Sequence, residues 1–473
     1  MNYAKRAYGL RISIVFIIGF LISCNNNNNN NLSDNSAQKS LTLLKIAESG
    51  KLTAFIDYNS VDYFIYRGRP MGYQYEILRD FADYLGVKLE LIVENNARNA
   101  IRRLQEGEGD LIASELAVSL TRNQAIGFTR PVGTSRLVLV QQKAAPANET
   151  NHIRQPLQLA GQTVHLPNDG FMIRRMQNLM EEIGDSIRLV VNPGKTQEEL
   201  ISAVDQGEIK YAVVDERIAR IGALYHPKAD MSLPVSFHHN VAWAVRNQDH
   251  DFRVVIDEWL GNFQTSRKAK SLAFKYFESN RIGQMAVSGF HSHKGGRISS
   301  FDATFRHYSR NIGWDWRLLA SLAFQESQFH PEAKSWAGAM GIMQLMPETA
   351  GKYGVDSLSS PEEHIRAGAS YLKWLEDQWK DKIPSESERI KFVIASYNVG
   401  IGHVLDARRL AVKYNRDPNI WDDNVAYFLA RKAHPDYYND AVVYYGYCRG
   451  EEPVRFVTEI FERYGHYQKL VKI

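Results

Sequence analysis

Glu326 is the side chain in this 473-residue chain whose type and position best suit moving a proton. Trp316, Leu319, Ala320 and Ala323 recur at helical spacing, and Glu326 falls next on the same face. A carboxylate at the end of an apolar stripe faces a core or a cleft. Burial there disfavours the charged form and raises the pKa, which suits a general acid. Taken alone, the stripe is equally compatible with a glutamate at a fraying helix end that reaches water. Ser327 follows directly. The run Gly338-Ala339-Met340-Gly341-Ile342-Met343-Gln344 comes soon after, and its glycines let backbone approach a bound chain closely. A third cluster, Ala395-Ser396-Tyr397-Asn398-Val399-Gly400, sets a phenol and an amide beside a turn glycine. No second acidic residue stands at a comparable position, since Glu332, Glu348, Glu362 and Glu363 read as capping or surface residues.

The elements that must position these groups are helical. From residue 298 onward strand signals vanish. A helix is expected over 300–311, and Asp315 caps the next one, which carries Glu326 and ends before Pro331. Pro347 opens another helix. Ser360-Pro361-Glu362-Glu363 is a capping box ahead of the stripe Ile365, Ala369, Leu372, Leu375 and Trp379. Further helices are expected over 390–396, 404–414 and 454–464. Residues 298–473 thus form a mostly helical domain. Residues 41–280 read differently, with apolar strands alternating with amphipathic helices in two successive sets. That pattern predicts an α/β domain of two lobes, with parallel sheets covered by helices. The extended apolar segments near 136–142 and 240–246 are the expected crossings between lobes. Residues 281–297 are glycine-rich and polar, and make a linker. His291 and His293 within it are read as solvated linker residues, not as metal ligands.

Composition is globular, with 44% hydrophobic and 23% charged residues, and a net charge of +4 does not argue for a nucleic-acid partner. No cofactor and no metal is expected. Lys5, Arg6 and Arg11 precede a short apolar run over 12–22, too short to span a bilayer, which ends in Leu21-Ile22-Ser23-Cys24. Residues 1–23 are the expected signal peptide. Asn25 to Asn31 form an unbroken asparagine run, and 24–40 read as a flexible tether. Two cysteines make no disulfide framework.

Three resemblances add to this reading. Leu21-Ile22-Ser23-Cys24 resembles the lipobox of bacterial lipoproteins, which implies cleavage before Cys24 and acylation of that residue. Cys448 is then a lone thiol. Asn25 after Cys24 is not the aspartate associated with inner-membrane retention, so the expected place is the periplasmic face of the outer membrane, held by a lipid anchor. Residues 41–280 resemble the family 3 periplasmic solute-binding domain. The likeness rests on Gly72-Tyr73-Gln74-Tyr75-Glu76, Leu85-Gly86-Val87, the run 104–110, and Thr121-Arg122 through Phe128-Thr129-Arg130-Pro131. It implies that Arg122 grips an amino acid carboxylate and Asp215 an ammonium, so the expected partner there is an amino acid or a muropeptide.

Residues 298–473 resemble the lysozyme-like catalytic domain of soluble-type lytic transglycosylases. The three clusters stand in the order of that family's glutamate–serine, glycine–methionine–glutamine and alanine–tyrosine–asparagine motifs. The pairing of the two domains, with the aromatic tail Tyr437-Tyr438-Asn439 to Tyr447-Cys448, resembles membrane-bound lytic transglycosylases. The resemblance implies peptidoglycan glycan strands as substrate and a carbon–oxygen lyase that yields 1,6-anhydromuramic acid ends. Glu326 is the implied catalytic residue, and Ser327, Met343, Gln344, Tyr397, Asn398 and Tyr438 are the implied saccharide-binding residues. A muramidase that uses water, and a cell-wall or amino acid sensor without catalysis, are the alternatives.

Overall fold

The computed structural model describes residues 41–472 apart from 145–151, 225, 280–281, 283, 286–287 and 293–295. The expected signal peptide, Cys24 and the asparagine tether lie outside the described residues. The chain divides into two compact units, one reaching Phe64 and resuming over Met71–Ser288, the other comprising Ile65–Pro70 and Gly289–Ile473.

The strands in chain order are β1 (Lys51–Ile56), β2 (Phe64–Tyr66), β3 (Arg69–Met71), β4 (Lys88–Val93), β5 (Leu111–Ala117), β6 (Gly127–Ser135), β7 (Leu137–Gln142), β8 (Thr163–Pro167), β9 (Arg188–Asn192), β10 (Ala212–Asp215), β11 (Ala229–Pro234) and β12 (His239–Val245). The first unit holds two five-stranded sheets, ordered β4-β1-β5-β12-β6 and β11-β7-β10-β8-β9. Strand β1 pairs in parallel with β4 and β5, and β8 in parallel with β9 and β10. Strand β12 is antiparallel to β5 and β6, and β7 is antiparallel to β10 and β11. The sheets are therefore mixed, not purely parallel. Helices return the chain between the parallel strands, whereas β7 and β12 arrive from the other lobe in the opposite sense.

The chain changes sheet between β6 and β7 and returns between β11 and β12. The segments read as crossings near 136–142 and 240–246 are themselves ladder strands, each with its crossing at the leading end. Both are buried almost throughout, Leu137 to Gln141 in one and Val241 to Val245 in the other. An apolar run covered on both faces looks the same in sequence whether it crosses or lies within a sheet. Each lobe has its own core, with Phe55, Leu104, Ile112 and Ala244 in one and Leu139, Val164, Met176 and Val213 in the other.

The second unit is helical. Helix Trp316–Ser327 lies at its centre, capped by Asp315, which accepts from the Arg317 amide at 2.9 Å. Burial extends well past the expected stripe, because Leu318, Ser321 and Leu322 are covered too. Ser321 Oγ donates to the Ile460 carbonyl of the terminal helix Glu451–Leu470 at 2.8 Å, which satisfies that buried hydroxyl. The capping box at Ser360 and Glu363 forms as expected, and Ile365, Ala369, Leu372, Leu375 and Trp379 are all buried. The tail beyond residue 440 is pinned by a buried ion pair. Asp406 takes Lys432 Nζ at 2.5 Å and the Tyr444 and Tyr445 amides at 2.8 and 2.9 Å. Cys448 is a buried free thiol.

Candidate active site and ligand cleft

Glu326 stands one residue from the end of helix Trp316–Ser327. The helix stops because Gln328 and Phe329 turn to positive φ, 52° and 64°. The carboxyl has no ion-pair partner among the described residues, and burial pushes it up to about 8. No counter-charge or hydrogen bond among the described residues opposes the burial, which favours the protonated form at neutral pH.

The glycine-rich run folds back beside it. Met340 pairs as an isolated bridge with both Lys334 and Leu345. Gly341 sits at φ +74°, and a β-carbon there would lie 2.4 Å from His364 Nδ1, so both conformation and space require glycine. Ser327 Oγ donates to the Ile342 carbonyl at 2.8 Å. Gln344, at φ 48°, donates through Nε2 to the Ala333 and Gly341 carbonyls at 2.8 and 2.9 Å. Tyr397 Oη donates to the Met343 carbonyl at 2.7 Å. Its phenol is raised well above its ordinary range, by burial first and by Glu326 second. Ser327, Met343, Gln344 and Tyr397 are thus brought together, and Tyr397 feels Glu326 electrostatically. They act on one another more than on open space. Met343, expected to pack on a sugar face, is fully buried against Gly368, and Ser327 is buried as well. Asn398 is exposed on the last turn of helix Glu386–Val399. Tyr438 is half-buried, edge-on to Tyr447 at 5.7 Å. Neither shares a hydrogen bond with the Glu326 group among the described residues.

Sequence reasoning missed an aromatic row on helix Pro361–Lys380. Tyr371 lies 5.3 Å from the Tyr397 ring and stacks on Trp374 at 6.0 Å and 15°, with Tyr353 at 6.2 Å. Trp374 is 45% exposed. The available signal was two aromatics three residues apart, off the apolar stripe.

The first unit contains a cavity of about 440 Å³ between its lobes. Arg122 and Asp215 both line it, but neither is free. Arg122 Nη2 binds Asp169 Oδ2 at 2.8 Å, and Asp169 also caps helix Gly170–Ile183 by accepting from the Phe171 and Met172 amides. Asp215 accepts from the Arg217 amide and Nε at 2.9 and 3.0 Å, and burial pushes its carboxyl up to about 7. Arg217 also pairs with Glu115. Asp57, Asp62, Asp169 and Arg217 are lining residues that the sequence did not single out. No group of three metal-ligating side chains assembles among the described residues.

Two family models match the chain: bacterial extracellular solute-binding proteins, family 3, over 53–279, and the transglycosylase SLT domain over 303–420. It is 32% identical to a membrane-bound lytic murein transglycosylase F from Desulfosudis oleivorans, covering 89% of this chain and 91% of that one. It is 29% identical to the protein of the same description from Pseudomonas putida W619, covering 90% and 87%. Among solved structures, the solute receptor for L-cysteine of Neisseria gonorrhoeae matches with a TM-score of 0.45 and 19% identity, covering 52% of this chain and 96% of that one.

Proposed function

Since this chain belongs to the membrane-bound lytic murein transglycosylase F family, we propose that Glu326 is the single catalytic acid and base of its peptidoglycan lytic transglycosylase activity. The activity breaks the β-1,4 bond between N-acetylmuramic acid and N-acetylglucosamine without water and leaves a 1,6-anhydromuramic acid end. Glu326 gives its proton to the glycosidic oxygen as the bond to muramic acid C1 breaks. The substrate's N-acetyl group supports the oxocarbenium-like centre. The Glu326 carboxylate then takes the proton of the C6 hydroxyl, whose oxygen closes on C1. The observation that carries this reading is the Glu326 carboxyl, largely buried, without a partner among the described residues and pushed up to about 8 by that burial, beside a turn fixed by Ser327, Gln344 and Tyr397. A residue that must act first as acid and then as base needs a pKa near the working pH. Asn398 and Tyr438 are assigned to saccharide hydroxyls, and Ser327, Met343 and Gln344 to holding the turn against which the glycan lies.

We assign residues 41–280 to a solute-binding regulatory domain, residues 298–473 to catalysis, and 281–297 to the link between them. Arg122 and Asp215 belong to the regulatory cleft. Acylated Cys24 would hold the chain at the periplasmic face of the outer membrane. No described helix is long and apolar enough to cross a membrane. Mass spectrometry of the products from purified peptidoglycan tests the reaction. Anhydro ends are expected, and products heavier by one water would replace the transglycosylase reading with a hydrolytic one.

A further inference from the structure

We propose that the cleft of the first unit is a receptor for a small organic cation, gripped through an ammonium or guanidinium group by Asp57 and Asp62. This rests on the reading of that unit as a ligand-binding regulator.

The seat for an anion is filled from within. Asp169 takes Arg122 Nη2 and the first amides of helix Gly170–Ile183, a place suited to a ligand carboxylate. The Asp215 seat is filled too, because Arg217 pairs with both Asp215 and Glu115. The cavity lining nevertheless carries seven carboxylates against three cations, Arg122, Lys195 and Arg217. Setting aside the pairs just named leaves four carboxylates; Glu94 pairs with Arg103 and Glu198 accepts from the Ser60 amide and hydroxyl, so Asp57 and Asp62 stand in excess. Asp62 is 5% exposed. Its Oδ2 accepts from Asn59 Nδ2 at 2.7 Å, but its Oδ1 is buried and has no hydrogen-bond partner. Asp57 accepts only from Ser114 Oγ among the described residues, at 2.9 Å. Burial, then the neighbouring charges of Asp62 and Asp169, push its carboxyl up to about 7, against the pull of Ser114 and Arg217.

A buried carboxylate oxygen without a partner is costly, and a cation donating two or three N–H bonds supplies what is missing. Tyr58 and Phe171 also line the cavity, and the Phe171 ring already carries the Arg122 guanidinium at 5.9 Å. The volume of about 440 Å³ fits a small organic molecule. A bare metal ion is the poorer fit, since no trio of ligating side chains converges among the described residues. The ligand is therefore recognised through its amine, and a free α-carboxylate is not required.

Isothermal titration of the full chain with 1,5-diaminopentane, lysine, arginine, alanine and glutamate tests this, alongside the rate of peptidoglycan digestion with and without added soluble muropeptides. The diamine is expected to bind within tenfold of lysine, with no binding of alanine or glutamate. Asp62→Asn should weaken the diamine at least tenfold. Asp57→Asn should do the same, and serves where the first variant fails to fold. Arg122→Ala, which frees Asp169, should not weaken diamine binding. Binding of the diamine that neither aspartate variant weakens overturns the proposal. So does binding of alanine or glutamate that Arg122→Ala abolishes, while the diamine gives no heat; the regulator reading then stands. No heat from any probe, with a digestion rate that still responds to muropeptides, overturns the cation seat alone. No heat and no response overturn both readings.

Discussion

Replacing Glu326 by glutamine should remove the activity and at the same time stabilise the helical unit, with the second effect depending on pH. Burial moves the Glu326 carboxyl from an ordinary 4.5 to about 8. Below 4.5 the folded and unfolded chains both hold the proton, so the site costs nothing. Between the two values the unfolded chain ionises while the folded chain does not, and folding is opposed by an amount that grows with pH and levels off above about 8. At pH 7 about 2.5 pH units of that interval have been crossed, and at 1.36 kcal/mol per unit the upper limit is about 3 kcal/mol. Glu326 retains some solvent access, and screening brings this to about 2 kcal/mol. Glutamine has the same shape and does not ionise. In Glu326→Gln the melting transition of the helical unit should rise by roughly 4–8 °C at pH 7 and be unchanged at pH 4.5. Release of anhydromuropeptides should fall by roughly 10²- to 10⁴-fold, the usual contribution of a positioned acid–base group. In the unsubstituted chain, activity should decline as pH rises through about 8 and the acid loses its proton. Calorimetry at the two pH values and product release from purified peptidoglycan are the measurements. A variant that keeps its activity, or whose transition at pH 7 is no higher than that of the parent chain, refutes the assignment of a buried protonated acid.

Tyr397→Phe strips the donor from the Met343 carbonyl and should cost about 1–2 kcal/mol of stability. A thermal melt paired with digestion kinetics should also show turnover falling more than apparent affinity, because the turn beside Glu326 loosens. Lys432→Met leaves the fully buried Asp406 carboxylate with only the partly exposed Arg409 as counter-charge. Burial alone would raise that carboxyl, but Lys432 and the Tyr444 and Tyr445 amides hold it below its ordinary range. The substitution should cost about 3–5 kcal/mol by urea denaturation, with faster amide exchange at Tyr444 and Tyr445.

The helical unit was legible because its chemistry is local. Glu326 and Ser327 adjoin, Gly341 to Gln344 form one turn, and Tyr397 sits where Gly400 ends a helix, so each motif is read whole within a few residues. What stayed hidden was the partner of each group. Ser327 and Gln344 have the hydrogen-bonding groups to bind a sugar, but the structure has them bonded to the Ile342, Ala333 and Gly341 carbonyls. A buried turn with a positive-φ glutamine needs its carbonyls satisfied, and that need absorbs the groups nearest to it. In the first unit the strands and helices were legible for the same local reason, and the mixed sheets were not, because strand direction is set by where the chain changes lobe.

The cleft shows the limit most sharply. The family resemblance implies Arg122 and Asp215 as a pair, a fork for an amino acid's carboxylate and a carboxylate for its ammonium. In the structure Arg122 pairs with Asp169, which is distant in sequence, and Asp215 with Arg217 two residues along, so each group already has a partner within the chain. Asp57 and Asp62 carried no signal, since single aspartates after a strand are ordinary turn residues. They become a site only when the fold buries them together with one shared cation, Arg217, that is already committed elsewhere. A sequence states which charges exist, but their imbalance inside a cavity is a property of the folded chain, and the proposed cation seat rests on that imbalance.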